Sequence, residues 1–242
     1  MKIADHIEML ELKVPMGGHE MVIHPVVIYA DHQAVLLDTG VPGCYDKIIE
    51  QIDPAYPVQS VILTHDDLDH IGSFPQFVEA ASGTLDVYAQ ANDADAINGN
   101  KPFSKAKPER VNMVLEPFPE SIQQSFRSVF STDTPDHVNH VLQGNEVLPF
   151  SEGLQVIHTP GHTPGHTSFY DIASKILIAG DAMIVENGEL HGPNPAFTLD
   201  MEQAINSLRA FQKLNIEAIV CYHGGLFKGD IQQRLNEIVN HS

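Results

Sequence analysis

Residues 61–73, Val61-Ile62-Leu63-Thr64-His65-Asp66-Asp67-Leu68-Asp69-His70-Ile71-Gly72-Ser73, carry the pattern from which the rest of the chain can be read. An apolar run of strand length, 58–63, stops in a loop that offers metal-competent side chains at 65, 67, 69 and 70. Gathering imidazoles and carboxylates at the end of a buried strand is costly unless a cation compensates them. Four other places repeat the arrangement. Ala34-Val35-Leu36-Leu37 runs into Asp38, and Ile176-Leu177-Ile178-Ala179-Gly180 runs into Asp181. Ala218-Ile219-Val220-Cys221-Tyr222 runs into His223, ahead of a Gly224-Gly225 pair that lets backbones approach closely. The run 154–158 leads into His158, His162 and His166, spaced by four and separated by Thr-Pro-Gly steps. Proline and glycine break a helix, so this spacing marks a turn after a strand and not a helical face. Five strand ends bearing such residues can meet at one edge of a folded sheet, and together they point to a metal centre.

Outward from these motifs, strand-like runs lie at 21–30, 34–37, 58–63, 85–89, 154–158, 167–170, 176–179 and 218–222. Apolar periodicity near 3.6 predicts helices over 199–214, with Thr198 as N-cap, and over 231–239, with Asp230 as N-cap. Shorter helices are expected at 45–52 and 74–80. Strands and helices alternate without a clean linker, which argues for one α/β domain over residues 1–242. Residues 90–144 differ: they hold prolines and scattered Phe103, Met113, Phe118, Phe126 and Phe130, and they are expected to form an inserted loop-and-helix segment that caps a substrate pocket.

Composition narrows the function. Lys and Arg total 13 against 32 Asp and Glu, a net charge of −19 over 242 residues. Such a chain is repelled by a phosphate backbone or an anionic membrane, so neither nucleic acid nor membrane is an expected partner. There is no apolar run of about 18 residues to span a bilayer. Acidic residues interrupt the first twenty positions, where a signal peptide needs an apolar stretch, so a cytoplasmic location is expected. Cys44 and Cys221 form no recognisable framework and are expected to be small buried hydrophobes. Asp66 is expected to be a solvated loop residue. The sequence leaves the oligomeric state unknown.

Taken in order from the Asp-Thr-Gly at Asp38 to the His-Gly-Gly at His223, these motifs resemble those of the metallo-β-lactamase-fold hydrolases, in particular the glyoxalase-II-like and lactonase-like branch. The resemblance implies a four-layer αββα sandwich of two mixed β-sheets flanked by helices, with a dinuclear site on one edge. It implies that His65 and His162 bind a first divalent metal ion, that Asp69, His70 and His223 bind a second, and that Asp181 bridges the two. Asp38 and His166 match positions where a hydrogen bond orients a ligand; His158 is assigned a structural role. One departure stands out: the family's usual His-x-His-x-Asp-His carries Asp67 where its second histidine belongs. A carboxylate can ligate the same ion with a harder donor. Zinc is the expected metal, with manganese or iron as the alternatives that Asp67 admits.

Such a site implies hydrolysis by a hydroxide bridging two dications, oriented by Asp69 or Asp181, with Tyr222 donating to the developing oxyanion. The expected substrate is a small molecule with a carboxyl ester, lactone or thioester bond. A small phosphoester hydrolase, a di-iron oxygen- or nitric-oxide-reducing module and a non-catalytic metal-binding module are the alternatives. Aromatic residues and Met113 in 90–144 favour an apolar, acyl-bearing substrate. Lys228 and Arg234 are the only nearby cations that could meet the carboxylates of a glutathione thioester.

Overall fold

The computed structural model describes residues 1–16, 19–81 and 84–241. The first half of the chain contributes β1 (Lys2–Ala4), β2 (Ile7–Met9), β3 (Leu12–Met16), β4 (His19–Ile23), β5 (Val26–Ala30), β6 (Gln33–Leu37), α1 (Tyr45–Ile49), β7 (Val58–Leu63), α2 (Leu68–Ile71), α3 (Phe74–Ala80), β8 (Asp86–Gln90), α4 (Ala91–Ile97), α5 (Pro108–Leu115), α6 (Glu120–Val129) and β9 (His140–Leu142). The second contributes β10 (Val147–Leu148), β11 (Leu154–His158), β12 (Thr167–Asp171), β13 (Ile176–Gly180), β14 (Ile184–Glu186), β15 (Glu189–His191), α7 (Met201–Ser207), a 3-10 turn (Leu208–Lys213), β16 (Ala218–Cys221), β17 (Gly225–Phe227) and α8 (Ile231–His241).

Two large mixed sheets result, ordered β1-β2-β5-β6-β7-β8-β9 and β10-β11-β12-β13-β16-β17. Strands β6 to β9 run parallel, as do β13 and β16; the other pairs in these sheets are antiparallel. The layering follows from the period-2 alternation of apolar side chains. Val35 and Leu37 of β6, Ile62 of β7, Ile176 and Ile178 of β13 and Val220 of β16 meet between the sheets. Their neighbours Leu36, Val61 and Leu63 face the opposite way, onto a core shared with Ile48, Phe74, Phe77 and Ile97 of α1, α3 and α4. Leu177, Ile219 and Cys221 turn outward onto Leu208, Phe211, Leu235 and Ile238. Three apolar cores thus separate four layers, an αββα sandwich.

Most strands and helices fall where the hydrophobic runs put them, with instructive departures at 21–30 and 199–214. The run 21–30 is split into β4 and β5 at His24-Pro25, because Pro25 has no N–H for a ladder and His24 N–H bonds the Tyr222 carbonyl at 3.0 Å. The 199–214 helix starts later and tightens into a 3-10 turn after Ser207. Its N-cap is Asp200, which accepts from Gln203 N–H at 2.9 Å; Thr198, expected there, donates to the Asn194 carbonyl. Asp230 does cap α8, accepting from Gln233 N–H at 3.0 Å. Residues 90–144 form α4, α5 and α6, and β9 then returns to pair with β8.

The layers are stitched where the strands end. Thr167 N–H donates to the Thr64 carbonyl at 2.9 Å, joining β12 to the end of β7 across the sandwich. Val185 N–H donates to the His223 carbonyl at 3.0 Å. Gly224, at φ +93°, follows His223; a Cβ there would lie 1.8 Å from the Val185 carbonyl oxygen, so glycine is required.

Phe169, fully buried between the sheets, tests this architecture. Phe169→Ala should cost about 3–5 kcal/mol in denaturant unfolding; a loss under about 1 kcal/mol would show that the inter-sheet core is not the main support.

Candidate metal centre

Strand ends deliver the polar residues to one edge, as the sequence suggests. His65 follows β7, Asp69 and His70 lie in α2, His162 lies in the loop after β11, Asp181 follows β13 and His223 follows β16. Two groups form. His65, Asp67, His162 and Asp181 offer ligand atoms within 4.8 Å of one another, and so do Asp69, His70 and His223. Asp67 Oδ2 lies 3.2 Å from His65 Nε2 and 3.1 Å from His162 Nε2. Asp69 Oδ2 lies 3.4 Å from His223 Nε2. Asp181 faces both groups: its carboxylate oxygens are 3.3 Å from His162 Nε2, 3.5 Å from His70 Nε2 and 3.4 Å from His223 Nε2.

The surrounding hydrogen bonds aim these groups. Asp38, held at φ +64°, accepts from Thr64 N–H and Thr64 Oγ1 at 2.9 and 2.8 Å. Its Oδ2 also lies 2.8 Å from His70 Nδ1, which turns His70 Nε2 toward the site. His166 Nε2 accepts from Asp181 N–H at 2.9 Å, while its Nδ1 meets Thr159 Oγ1 at 2.8 Å. Both nitrogens of His166 are therefore occupied by protein partners. His158 Nε2 meets the Pro164 carbonyl at 2.9 Å and closes its own loop. Asp93 of α4 braces the same loop, accepting from Thr163 Oγ1 and Gly165 N–H at 2.8 and 2.9 Å. Gly161, at φ +131°, lets that loop press on Ala204, whose backbone nitrogen a Cβ would approach to 2.3 Å.

The donor set fits a divalent cation. His65 Nε2, His70 Nε2 and Asp181 Oδ1 are buried without a hydrogen-bond partner, an expensive condition that a shared cation relieves. The electrostatics say the same. Burial and then the neighbouring His70 push His65 down to about 4, keeping its imidazole neutral. Burial would lower His223 too, but Asp181 and Asp69 raise it to about 10. Burial is likewise outweighed at His70, raised by Asp38, Asp181 and Asp69. Around these carboxylates protons do what a metal would do in their place.

Three expectations require correction. Asp66 is buried, not solvated: one oxygen accepts from Ser104 N–H at 2.6 Å, and burial raises the group to about 6. Tyr222 does not offer its proton to the site, because the hydroxyl donates to the Asp69 carbonyl at 2.5 Å while the ring stacks on His70 at 3.7 Å. The phenylalanines of 90–144 pack on one another, Phe103 on Phe126 and Phe130, and so argue less for an acyl-binding surface than composition alone suggests. Arg234 is tied to the Leu190 carbonyl and Glu237. Cys44 and Cys221 are both buried, as expected.

One site residue escaped the sequence reading. Lys105, between α4 and α5, pairs with Asp67 and reaches His162 Nε2 at 2.7 Å and the Phe197 carbonyl at 2.8 Å. Pro-Phe-Ser-Lys-Ala-Lys-Pro has no motif that would single it out; only the scarcity of cations gave a hint.

A family model described as the metallo-beta-lactamase superfamily matches residues 21–223. The chain is 28% identical over 225 residues to the probable metallo-hydrolase YflN of Bacillus subtilis (strain 168), covering 86% of this chain and 82% of that protein. It is 25% identical over 217 residues to the probable metallo-hydrolase YybB of the same organism, covering 88% and 84%. Among solved structures, a metallo-beta-lactamase family protein from Thermus thermophilus superimposes with a TM-score of 0.69 at 21% identity, over 99% of this chain and 80% of that one. An archaeal metallo-beta-lactamase superfamily protein from Sulfolobus tokodaii gives 0.64 at 19%, over 98% and 86%. At such identities the structural likeness speaks to the fold.

Two measurements test this geometry. Asp38→Asn keeps the residue's shape but replaces an acceptor facing His70 Nδ1, and should weaken metal affinity about 10–100-fold in a calorimetric titration; unchanged affinity would remove Asp38 from the site. Asp93 is raised to about 7 by burial and then by Asp66, against a usual value near about 4. The folded state therefore holds the extra proton, and stability falls as pH rises from about 4 to about 7. Chelator-stripped Asp93→Asn should show a shallower fall than wild type; equal slopes would refute the assignment.

Proposed function

The chain belongs to the metallo-beta-lactamase superfamily, and from that premise we propose that it is a dinuclear metal-dependent hydrolase acting on a carboxyl ester, lactone or thioester bond in a small molecule. The observation that carries the reading is the position of Asp181, whose carboxylate lies within 3.3–3.5 Å of imidazoles from both ligand groups. His65, Asp67 and His162 would hold one cation, Asp69, His70 and His223 the other, and Asp181 both. Zinc suits the imidazoles; the oxygen of Asp67 admits manganese or iron. Bound there, such ions supply Lewis acidity, acidifying water and polarising a carbonyl oxygen.

The chain's own residues supply the rest. Asp69 and Asp181 present carboxylate oxygens that orient the attacking water. Asp38 and His166 fix the aim of His70 and the backbone of Asp181. Tyr222 acts as a positioning residue, holding the Asp69 backbone and the face of His70. Phe197 and Leu199, 56% and 55% exposed, stand beside the His162 loop, where Leu199 N–H bonds the His162 carbonyl at 3.4 Å. This apolar lip supports an acyl or alkyl substrate. We take residues 1–242 as one domain and 90–144 as a cap over the site; Ser104 and Lys105 of that segment touch Asp66, Asp67 and His162, which supports the reading. No helix among the described residues is long and apolar enough to cross a membrane, compatible with the cytoplasmic location we assign.

A hydrolysis panel of lactones, thioesters, aryl esters and phosphodiesters, run with zinc, manganese and iron, should give turnover of carbon acyl substrates, lost on chelation. Asp181→Ala should lower kcat at least about a thousandfold. Full activity without metal, full activity of the variant, or exclusive turnover of phosphodiesters would each overturn the proposal.

A further inference from the structure

We propose that Lys105 is a built-in cation of the His65/Asp67/His162/Asp181 group: its ammonium holds the space between Asp67 and His162 against a metal ion, so that the Asp69/His70/His223 group loads first and the other only once Lys105 has been displaced. The inference rests on the metal-site reading above and concerns the order in which that site fills.

An ammonium has three N–H donors, and here it meets three acceptors: the Asp67 carboxylate, His162 Nε2 at 2.7 Å and the Phe197 carbonyl at 2.8 Å. The imidazole is set up to receive it. His162 Nδ1 lies 3.3 Å from Thr198 Oγ1, whose own proton goes to the Asn194 carbonyl at 2.8 Å. Nδ1 therefore carries the hydrogen, and the Nε2 lone pair points at Lys105. A neutral imidazole lone pair and a carboxylate oxygen converging on one point are what a divalent metal requires. A metal drawing on those two atoms takes them from the ammonium, and like charges so close repel, so the two occupants exclude one another.

The lysine's approach is fixed by its neighbours. Ser104 N–H is anchored on buried Asp66 at 2.6 Å, and Phe103 packs on Phe126 and Phe130. Three consecutive residues are thus held, which gives Asp66 a purpose: it secures the loop that brings Lys105 in. Asp67 completes the pairing, because the carboxylate that stands where an imidazole would otherwise be is the one the ammonium neutralises. The second group has no such occupant. Among the described residues, Asp69 and Asp181 form ion pairs with imidazoles alone.

Chelator-stripped wild type, Lys105→Met, Lys105→Gln and Lys105→Arg would be titrated with zinc, and separately with manganese, by calorimetry near neutral pH, after circular dichroism has identified the folded variants. Wild type should take one equivalent tightly and a second at least about tenfold more weakly. The neutral variants should tighten the second step about tenfold or more and leave the first unchanged, while Lys105→Arg should follow wild type. The glutamine variant keeps the test decisive if methionine misfolds. Two equally tight equivalents in wild type, a second step unchanged in the neutral variants, or a second step weakened by them would overturn the proposal while leaving the metal centre standing. If no form binds metal, the metal-site reading fails first.

Discussion

Asp38, Asp67, Asp69 and Asp181 crowd their carboxylates into a largely buried space, where unit charges about 4 Å apart repel by several kcal/mol at the effective dielectric of a protein. The local structure can be understood as the means of tolerating that repulsion. Imidazoles are interleaved between the carboxylates, Asp67 is matched by Lys105, and Asp38 is turned toward Thr64 and His70. Burial favours the protonated form of Asp67, yet His65 and Lys105 hold it well below the usual carboxylate range. Such a constellation cannot be assembled on a flexible surface, because every member needs its neighbours at a fixed distance. A four-layer sandwich supplies that fixity, with three apolar cores locking the strand ends from which the ligands project.

Much of this was legible in the sequence because each ligand follows a strand whose hydrophobic run is unmistakable. The layers followed only from the motifs' resemblance to a known fold, whereas abrupt termination of the runs in His or Asp gave the edge. What could not be read depended on contacts far apart in the chain. Asp66 looked like a loop residue because nothing local reveals that Ser104 will cover it. Tyr222 looked available beside His223, whereas its hydroxyl is engaged by a backbone carbonyl 153 residues away. The split of 21–30 at His24-Pro25 combines a local cause, proline, with a distant one, the Tyr222 carbonyl. The N-cap of α7 falls on Asp200, while the Thr198 hydroxyl is engaged between His162 and the Asn194 carbonyl.

The helical segment between the two strand-rich halves is joined to the site at two points, both in its first third. Asp93 grips the loop that carries His162, and Lys105 reaches His162 itself. Its phenylalanines, which by composition suggested a ligand surface, serve as the ballast that holds these polar contacts in place. A change in the packing of this segment therefore reaches His162 and its loop through two separate hydrogen-bonded routes.

Each ligand group draws on both sheets: His65 and Asp67 come from the first half of the chain and His162 and Asp181 from the second, while Asp69 and His70 are joined by His223. Neither sheet alone can complete either group. On the proposed reading ion binding would be a reaction of the docked sandwich only, and at a thousandfold excess over its dissociation constant one ion would favour docking by about 4 kcal/mol. The ions would then act as rivets between two half-structures, and the metal content of a preparation would count the molecules whose halves are correctly joined.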